Sequence, residues 1–273
     1  MKSFMKSLKE YITEGLLYEG LLDRVKNKEV NHEDLIKEFL ETNYKFRGSY
    51  TIKAANNKFI VDVKGDAEVI NKSITSLTNG LFEFGVVSSD FCCPHCKNLT
   101  SLEGAPKHCR LFYCHFCSSL RTLEGIPKSC MYLSCQNCDS LKDLKGSPKA
   151  CKIFNGCNCK SLKTLEGAPI KCVEFYCANC ESLTSLEGAP KEAEKFYCYG
   201  CTSLRTLEGA PEEVKEFSCS GCKSLTSLEG IRCDTIECYD CGADFTDQYI
   251  ADTTGASLVR VANAAYRLPK PKK

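Results

Sequence analysis

The chain has 273 residues, 22 of them cysteine, and a formal net charge of +1 at pH 7. A chain of this length can bury a core without disulfides, and a charge near zero gives no general attraction to nucleic acid. The N-terminal stretch MKSFMKSLKEYITEGLLYEGLL interrupts its apolar residues with Lys and Glu, so it predicts neither a signal peptide nor a membrane span. We therefore expect a protein of a reducing compartment, without a membrane or nucleic-acid partner, whose cysteines are thiols, metal ligands or packed apolar groups.

Residues 1–28 are predicted to form an amphipathic segment, and within it the stretch LKEYITEG carries an aliphatic-x-Glu motif that ends at Glu14. This stretch resembles the capsid-targeting peptide of internal head proteins of tailed phages, which the prohead protease cuts after the glutamate. The resemblance implies that residues 1–14 are removed by cleavage before Gly15, and that the protein occupies the virion interior and then the host cytoplasm. The alternative is an ordinary amphipathic helix that packs on the neighbouring domain.

Residues 29–65 are predicted to form a small α+β cap. The stretch NHEDLIKEFLETNY favours a helix, with Asn31 as its N-cap, acidic residues in its first turn and an apolar face of Leu35, Ile36 and Phe39. The following stretch GSYTIKAANNKFIVDVKGDAEVI favours two or three strands, with ANNK as a hairpin turn. We expect this cap to cover the first unit of the repeat array that follows it.

From residue 66 to residue 241 the chain is organised as a repeat of 21 residues, marked by glycines from Gly104 to Gly230. With each glycine as position 0, leucines hold +16 and +19, a large apolar residue holds +8, and cysteines hold +10 and +13 and often +5. The consensus F-x-C-x-x-C-x-S-L-x-x-L-E-G-A-P predicts a short strand near +8 to +10, followed by turns and an extended return. The period predicts a β-rich solenoid of short parallel strands.

This repeat resembles the leucine-rich repeat family, whose apolar pattern maps onto +5, +8, +10 and +13. It is most similar to the short bacterial type, and the cysteine-rich SLEGAP array also resembles repeat proteins of tailed phages. It departs from the short type in two ways. The stretch LEGAP stands where a Leu-Pro pair is usual, and cysteine replaces most core leucines and the asparagine that is usual at +13. The resemblance implies a curved, right-handed parallel coil with a concave strand surface that binds protein partners.

The cysteines at +10 and +13 of successive units form C-x2-C-x17-C-x2-C, a spacing found in zinc ribbons. Three features favour packed thiols over metal ligands. Ala193 and Val214 replace cysteine at +5, Asn71 stands at the equivalent of +13, and one pair is shifted to Cys157 with Gly156 at +10. A structural zinc protein with paired cysteine ligands, and cysteines that form disulfides or sense oxidants, remain as alternatives.

Enzymatic activity is not expected from these residues. A catalytic cysteine needs a histidine within reach, and His115, which directly follows Cys114, would point to the opposite face of a strand. The sequence also carries no phosphate-binding loop and no Ser-His-Asp arrangement. We therefore predict no cofactor and no catalytic or metal-binding residue.

The outward positions +7, +9 and +11 vary while their inward neighbours repeat, as expected for a binding face on a regular scaffold. Tyrosine is a good interface anchor, although it also suits exposed strands that bind nothing. The function we predict is a non-enzymatic scaffold for a protein partner, such as a host factor, and a virion structural component is an alternative. The residues predicted to bind the partner are Tyr113, His115, Tyr132, Tyr176, Tyr197 and Tyr199.

Residues 242–273 are predicted to form a C-terminal cap. The stretch GASLVRVANAAYRL favours a short capping helix, and the final LPKPKK is a solvated basic tail.

Overall fold

The computed structural model describes residues 31–55, 58–78, 80, 82–261 and 264–268. Within them the chain is a β-solenoid of about nine turns built from parallel strands, as the 21-residue period predicts. The predicted amphipathic segment, the processing site at Glu14 and Gly15, and the final basic residues lie outside the described residues.

The described residues form 13 strands and two helices, and neither helix has the length and apolar character needed to cross a membrane. The elements are α1 His32–Asn43, β1 Tyr44–Ala55, β2 Lys58–Val69, β3 Phe82–Val87, β4 Asp90–Cys92, β5 Leu111–Tyr113, β6 Tyr132–Ser134, β7 Ile153–Asn155, β8 Lys171–Tyr176, β9 Glu192–Tyr197, β10 Val214–Ser218, β11 Cys233–Glu237, α2 Asp247–Thr254, β12 Leu258–Val261 and β13 Ala264–Arg267.

All the strands belong to one sheet in the order β1-β2-β4-β5-β6-β7-β8-β9-β10-β11-β12-β13, with β3 paired to β2 outside this path. The strands from β2 through β4 to β12 pair in parallel, one coil after another. At each end an antiparallel partner closes the series, β1 on β2 and β13 on β12. The two ends of the array therefore differ in strand direction from its middle.

The predicted N-terminal helix is confirmed as α1, one residue shorter at each end than the stretch that suggested it. The Asn31 side chain accepts a hydrogen bond from the Glu33 amide at 2.7 Å, which satisfies one of the free N–H groups of the first turn. Leu35 and Ile36 are buried, and Phe39 packs against the same core. The two long strands that follow form the predicted hairpin, whose turn residues 56 and 57 are not described.

The core is a set of columns, because equivalent residues of successive coils stack directly on one another. The phenylalanine rings at +8 form the clearest column, with centroids 4.8 Å apart between Phe154 and Phe175 and 5.2 Å apart between Phe175 and Phe196. The ring spacing is close to the strand spacing of about 4.8 Å, so the stacked rings follow the backbone ladder. The leucine columns at +16 and +19 are fully buried beside them.

Two left-handed backbone positions recur in the coils. The glycines at position 0 have φ between 86° and 99°, a region that L side chains avoid. At Gly188 an added Cβ would also lie 2.5 Å from the amide nitrogen of Glu166 in the preceding coil. The second left-handed position is +12, occupied by His95, Phe116, Asn137, Asn158, Asn179, Gly200, Gly221 and Asp240, with φ between 56° and 73°.

The predicted C-terminal helix is wrong in position. The stretch GASLVRVANAAYRL begins with Gly255, the left-handed C-cap of α2, and continues into the strands β12 and β13. The reason is that β11 would otherwise end the sheet with unpaired backbone groups, and β12 supplies its parallel partner, with Val259 buried against the core. The C-terminal helix lies just before this stretch.

The helix α2 replaces part of the coil that would follow the last repeat. In four successive inner coils, from Leu123 to Leu186, the amide of the +19 leucine donates to a carbonyl of the next coil, as in the 3.0 Å bond from Leu186 to Glu208. For Leu228 no further repeat follows, and its amide donates to the Tyr249 hydroxyl of α2 at 3.1 Å. The helix thus satisfies a backbone group that the end of the array leaves open.

Substitution of Gly188 by alanine should separate backbone conformation from close packing. Gly188→Ala should lower the free energy of unfolding by about 2–4 kcal/mol, because it combines a left-handed alanine with a Cβ pressed against backbone. Gly255 has a similar φ of 70° with nothing within 4 Å of an added Cβ, so Gly255→Ala should cost only about 1 kcal/mol. Urea unfolding of the two variants measures the difference, and equal losses would mean that the close coil contact contributes nothing.

Candidate functional site

The outward residues of the coils from β4 to β11, at +7, +9 and +11, together with the exposed +12 residues at the strand ends, form one continuous surface that we call the strand face. The six residues predicted to bind a partner all lie on it, in two groups. Tyr113, His115 and Tyr132 belong to the coils of β5 and β6, whereas the other three belong to those of β8 and β9. The intervening coil of β7 contributes no aromatic side chain to this face, with Ile153 and Asn155 in the corresponding positions.

The first group is part of a larger aromatic cluster that sequence analysis did not find in full. The Tyr113 ring lies 5.3 Å from the Tyr132 ring and 6.1 Å from the His115 ring, measured between centroids. Two further rings join at the end of the strands: Phe116, 5.7 Å from His115, and His95, which stacks on Phe116 at 4.6 Å with an angle of 6°. We call these five residues the N-terminal aromatic cluster.

Phe116 and His95 occupy the left-handed +12 position that most other coils give to Asn, Gly or Asp. Their φ values are 60° and 62°, and a residue with a bulky side chain adopts this conformation at a cost of about 1–2 kcal/mol. Phe116 is also 39% exposed, so its ring does not repay the backbone strain by burial in the core. Strain accepted for an exposed ring is a feature of functional surfaces.

His115 sits inside the N-terminal aromatic cluster with a buried ring nitrogen. Its Nδ1 has no hydrogen-bond partner among the described residues, although buried polar atoms are nearly always paired. Burial, followed by the nearby His95 and Lys72, lowers the pKa of His115. The imidazole is therefore favoured in its neutral form, with an unused hydrogen-bonding atom.

The second group contains a rigid pair of stacked tyrosines. The rings of Tyr176 and Tyr197 lie 4.9 Å apart at an angle of 15°. The Tyr176 hydroxyl donates to Glu174 at 2.7 Å, and the Tyr197 hydroxyl donates to Glu216 at 3.0 Å. Burial and then these carboxylates raise the pKa of both phenols. Stacking fixes the two rings and the hydrogen bonds fix their hydroxyl groups. Little side-chain entropy therefore remains to be lost when a complex forms.

The carboxylates that hold the tyrosine pair form ion pairs with neighbouring cations. Arg260 of β12 forms an ion pair with Glu216 at 2.9 Å, and Lys195 lies 3.8 Å from Glu174 and 3.9 Å from Glu216. The network spans the strands from β8 to β12, including the C-terminal strand that was predicted to be helical. It therefore connects the end of the array to the middle of the strand face.

The +11 positions do not all face outward as predicted. Cys157, Ala178 and Ser220 are buried, whereas Tyr199 is 42% exposed. The reason is that +11 leads directly into the left-handed residue at +12, where the chain turns and the alternation of the strand ends. Tyr239, the equivalent residue of the last coil, is 47% exposed and was missed because the shortened repeat hides its register.

The cysteines at +13 form a hydrogen-bonded ladder through the core. Each thiol donates to the backbone carbonyl of the +10 residue in the preceding coil, at distances from 3.1 to 3.3 Å. In all but the last rung, no backbone N–H of the described residues reaches this carbonyl. A buried carbonyl without a donor is costly, so the thiol has a structural use that explains its regular spacing. The donors are Cys117, Cys138, Cys159, Cys180, Cys201, Cys222 and Cys241.

The arrangement of the sulfurs suits thiols better than metal ligands. Among the described residues, no group of three or more His, Cys, Asp or Glu side chains is placed to hold a metal ion. The sulfurs of Cys151 and Cys172, at +5 of adjacent coils, lie 3.7 Å apart. At the first rung, Asn71 donates to the Asn43 side chain at 2.8 Å and accepts from the Ser73 amide at 3.1 Å.

Comparison of the chain with protein-family models, with curated proteins and with solved structures finds no match. The functional argument therefore rests on the residues and geometry described above.

Thiol reactivity should distinguish the end of the ladder from its interior. Cys241 is half-buried, and the neighbouring Cys219 thiol lowers its pKa. By contrast, burial and then Asp90 raise the pKa of Cys92 to about 11. At pH 8 Cys241 has the larger thiolate fraction, so iodoacetamide should modify it first. Peptide mass spectrometry over time measures the order, and the fast phase should vanish in Cys241→Ser but persist in Cys92→Ser.

The same preparation tests the zinc alternative. Protein purified anaerobically without added metal should contain no stoichiometric zinc, and unfolding should release 22 free thiols. About one zinc for every two coils would instead make the cysteine pairs metal ligands, because four thiolates complete a structural site.

Substitution of Phe116 should reveal the backbone strain. Phe116→Asn should be at least as stable as the wild type, because relief of about 1–2 kcal/mol of left-handed strain offsets about 0.5–1.5 kcal/mol of lost ring stacking. Phe116→Ala loses the ring without gaining a side chain suited to this conformation, so it should be about 1 kcal/mol less stable than Phe116→Asn. Chemical unfolding compares the two, and equal stabilities would contradict a left-handed residue 116 in solution.

Proposed function

We propose that this chain is a non-enzymatic scaffold that binds a protein partner on its strand face. The observation that carries the proposal is the exposed Phe116 ring in a strained left-handed position. The coils that use Asn or Gly at the same position fold in the same way, so the solenoid itself does not require a phenylalanine there. A residue that costs stability and presents an aromatic surface is best explained by a contact that it makes in a complex.

The remaining aromatic residues of the strand face support a protein partner. Aromatic side chains dominate the energetics of protein interfaces. The stacked Tyr176 and Tyr197 are already ordered by Glu174 and Glu216, so a complex that uses them avoids much of the cost of immobilising side chains. A flat, extended surface of this kind suits another folded protein or an extended segment of one.

Two features support a binding rather than a catalytic role. Cys114 is fully buried and its thiol donates to the Ser134 carbonyl at 3.4 Å, while the neighbouring His115 lies on the strand face. The thiol and the imidazole are thus on opposite sides of the strand. The adjacent Cys138 thiol, and then burial, raise the pKa of the Cys114 thiol, which disfavours the nucleophilic thiolate.

The suggestion that the partner is a host protein rests on the N-terminal resemblance alone. If residues 1–14 target the chain to a phage capsid, the scaffold is delivered with the DNA, and a host factor is the partner it meets. The alternative role, a structural component of the virion, rests on the same N-terminal resemblance and does not require the strand face to bind a partner.

The proposal predicts that binding and stability respond differently to substitutions on the strand face. Phe116→Asn and the double variant Tyr176→Ala, Tyr197→Ala should each weaken partner binding at least fivefold, because interface anchors contribute more than about 1 kcal/mol. Phe116→Asn should do so without loss of folding stability, which separates a lost contact from partial unfolding. The partner is first isolated with the wild-type chain, and its affinity is then measured by calorimetry.

The control is Ile170→Ser, which removes another exposed apolar side chain, 55% exposed, just before β8 rather than on the strand face. It should leave the affinity unchanged. Equal affinities of the wild type, Phe116→Asn and the tyrosine double variant would remove the strand face from the interface.

A further inference from the structure

The last coils stack three +11 residues into a slot beside the tyrosine pair. The Gly200 amide donates to the Ser220 carbonyl at 2.7 Å, and the Gly221 amide donates to the Tyr239 carbonyl at 2.9 Å, so the three backbones are in register. Tyr199 and Tyr239 are 42% and 47% exposed, while Ser220 between them is only 5% exposed. We call this arrangement, with two tyrosine walls and a serine floor, the tyrosine slot.

The tyrosine slot is wide enough for one planar group. Adjacent strands are about 4.8 Å apart, so the backbones of Tyr199 and Tyr239 are about 10 Å apart. The stacked rings of Tyr176 and Tyr197, 4.9 Å apart, show that side chains on this face keep the strand spacing. A planar group midway between the two walls would lie about 5 Å from each ring, within the ~6 Å range of cation–π attraction.

The tyrosine slot is open toward the end of the strands because glycine occupies +12 in its middle coil. An added Cβ at Gly221 would meet only the backbone of Gly200, at 3.6 Å. In the coils of β6, β7 and β8 the same position carries asparagine. The left-handed backbone accepts either residue, so Gly221 leaves space that the fold does not demand. Beside Gly200 the Asn179 side chain already fills this space, with its Oδ1 2.1 Å from an added Cβ.

Two polar groups at the tyrosine slot lack a complete set of partners. The buried Ser220 hydroxyl has no hydrogen-bond partner among the described residues. The Glu237 carboxylate accepts a bond from Ser218 at 3.0 Å but forms no ion pair within the described part of the chain. Glu237 stands two residues before Tyr239 on the same strand face. Its charge contributes, after burial and Cys157, to the raised pKa of Tyr199.

The neighbouring cations are engaged elsewhere. Lys195 lies between Glu174 and Glu216, and Arg260, on the strand beside Glu237, directs its guanidinium to Glu216. These three carboxylates face two cations, and the carboxylate left without an ion pair is the one at the tyrosine slot. The charge of the site therefore favours a cation and opposes a phosphate or carboxylate.

We propose that the tyrosine slot binds an arginine side chain of the protein partner, an inference that rests on the proposed function and specifies the chemistry of the partner. A guanidinium is flat enough to lie between two aromatic rings, and its several N–H groups can bond to Glu237 and to the Ser220 hydroxyl together. A lysine ammonium carries the same charge without the flat surface. An apolar ring would leave the serine hydroxyl unpaired.

The test uses the full chain with ¹³C-labelled tyrosine and the peptide acetyl-Gly-Arg-Gly-amide as the probe. Titration followed by NMR should give saturable shifts of the Tyr199 and Tyr239 signals, which are assigned with Tyr199→Phe and Tyr239→Phe. The lysine peptide should bind at least about threefold more weakly because it cannot stack. The norleucine peptide, which has neither charge nor N–H donors, should produce no saturable shift.

Matched variants locate the binding. Gly221→Asn places in the slot the residue that other coils carry at the same left-handed position, so it should preserve the fold and weaken the arginine peptide by about tenfold. Glu237→Gln removes the charge with little change of shape and should weaken the peptide about fivefold. Asn137→Gly makes the reverse exchange in the coil of β6, far from the slot, and should leave the affinity for the arginine peptide unchanged.

Equal binding of the arginine and norleucine peptides, or full binding by Gly221→Asn, would overturn the arginine slot. These results do not depend on the partner. Loss of partner binding in the tyrosine double variant, without any peptide shift at the slot, would leave the scaffold function standing and remove only the arginine. A peptide shift at the slot, with partner affinity unchanged in all strand-face variants, would leave the arginine site standing and remove the strand face from the partner interface.

Discussion

In-register stacking of the coils is the constraint on which the other features depend. Two left-handed positions, the glycine at 0 and the residue at +12, give the inner coils the same path, so that equivalent residues lie about one strand spacing apart. The phenylalanine column, the thiol ladder and the tyrosine pair all follow from this repetition. A side chain gains a neighbour of its own kind in the next coil, which is why single exceptions such as Phe116 stand out.

The thiol ladder explains how a core so rich in cysteine can be regular. A +13 thiol is small enough to be buried and still donates, in all but the last rung, to a carbonyl that no backbone N–H of the described residues reaches. The zinc-ribbon spacing in the sequence has the same origin, because a repeat that places two inward cysteines in each coil reproduces it automatically. Spacing alone could therefore not distinguish a ligand set from a hydrogen-bonded column; the direction in which each thiol points favours the column.

Much of the fold was predictable from the sequence, because the 21-residue period and the capped helix α1 are strong local signals. The strands after Gly255 were not, since Val259 and its neighbours fit either periodicity and the choice was made by the unpaired edge of β11. The strand-face tyrosines were predictable from alternation. The +12 column was visible as a run of Asn and Gly, but its left-handed backbone, and so the strain at Phe116, needed the structure. Tyr239 was hidden by the shortened last repeat.

The antiparallel hairpins at the two ends give the array a defined length. Between them the coils are interchangeable, and the N-terminal aromatic cluster and the tyrosine slot are separated by a whole number of coils. Insertion or loss of one repeat would move the two sites by about 4.8 Å relative to each other without altering either one. The number of repeats therefore sets the distance between the two sites along the array.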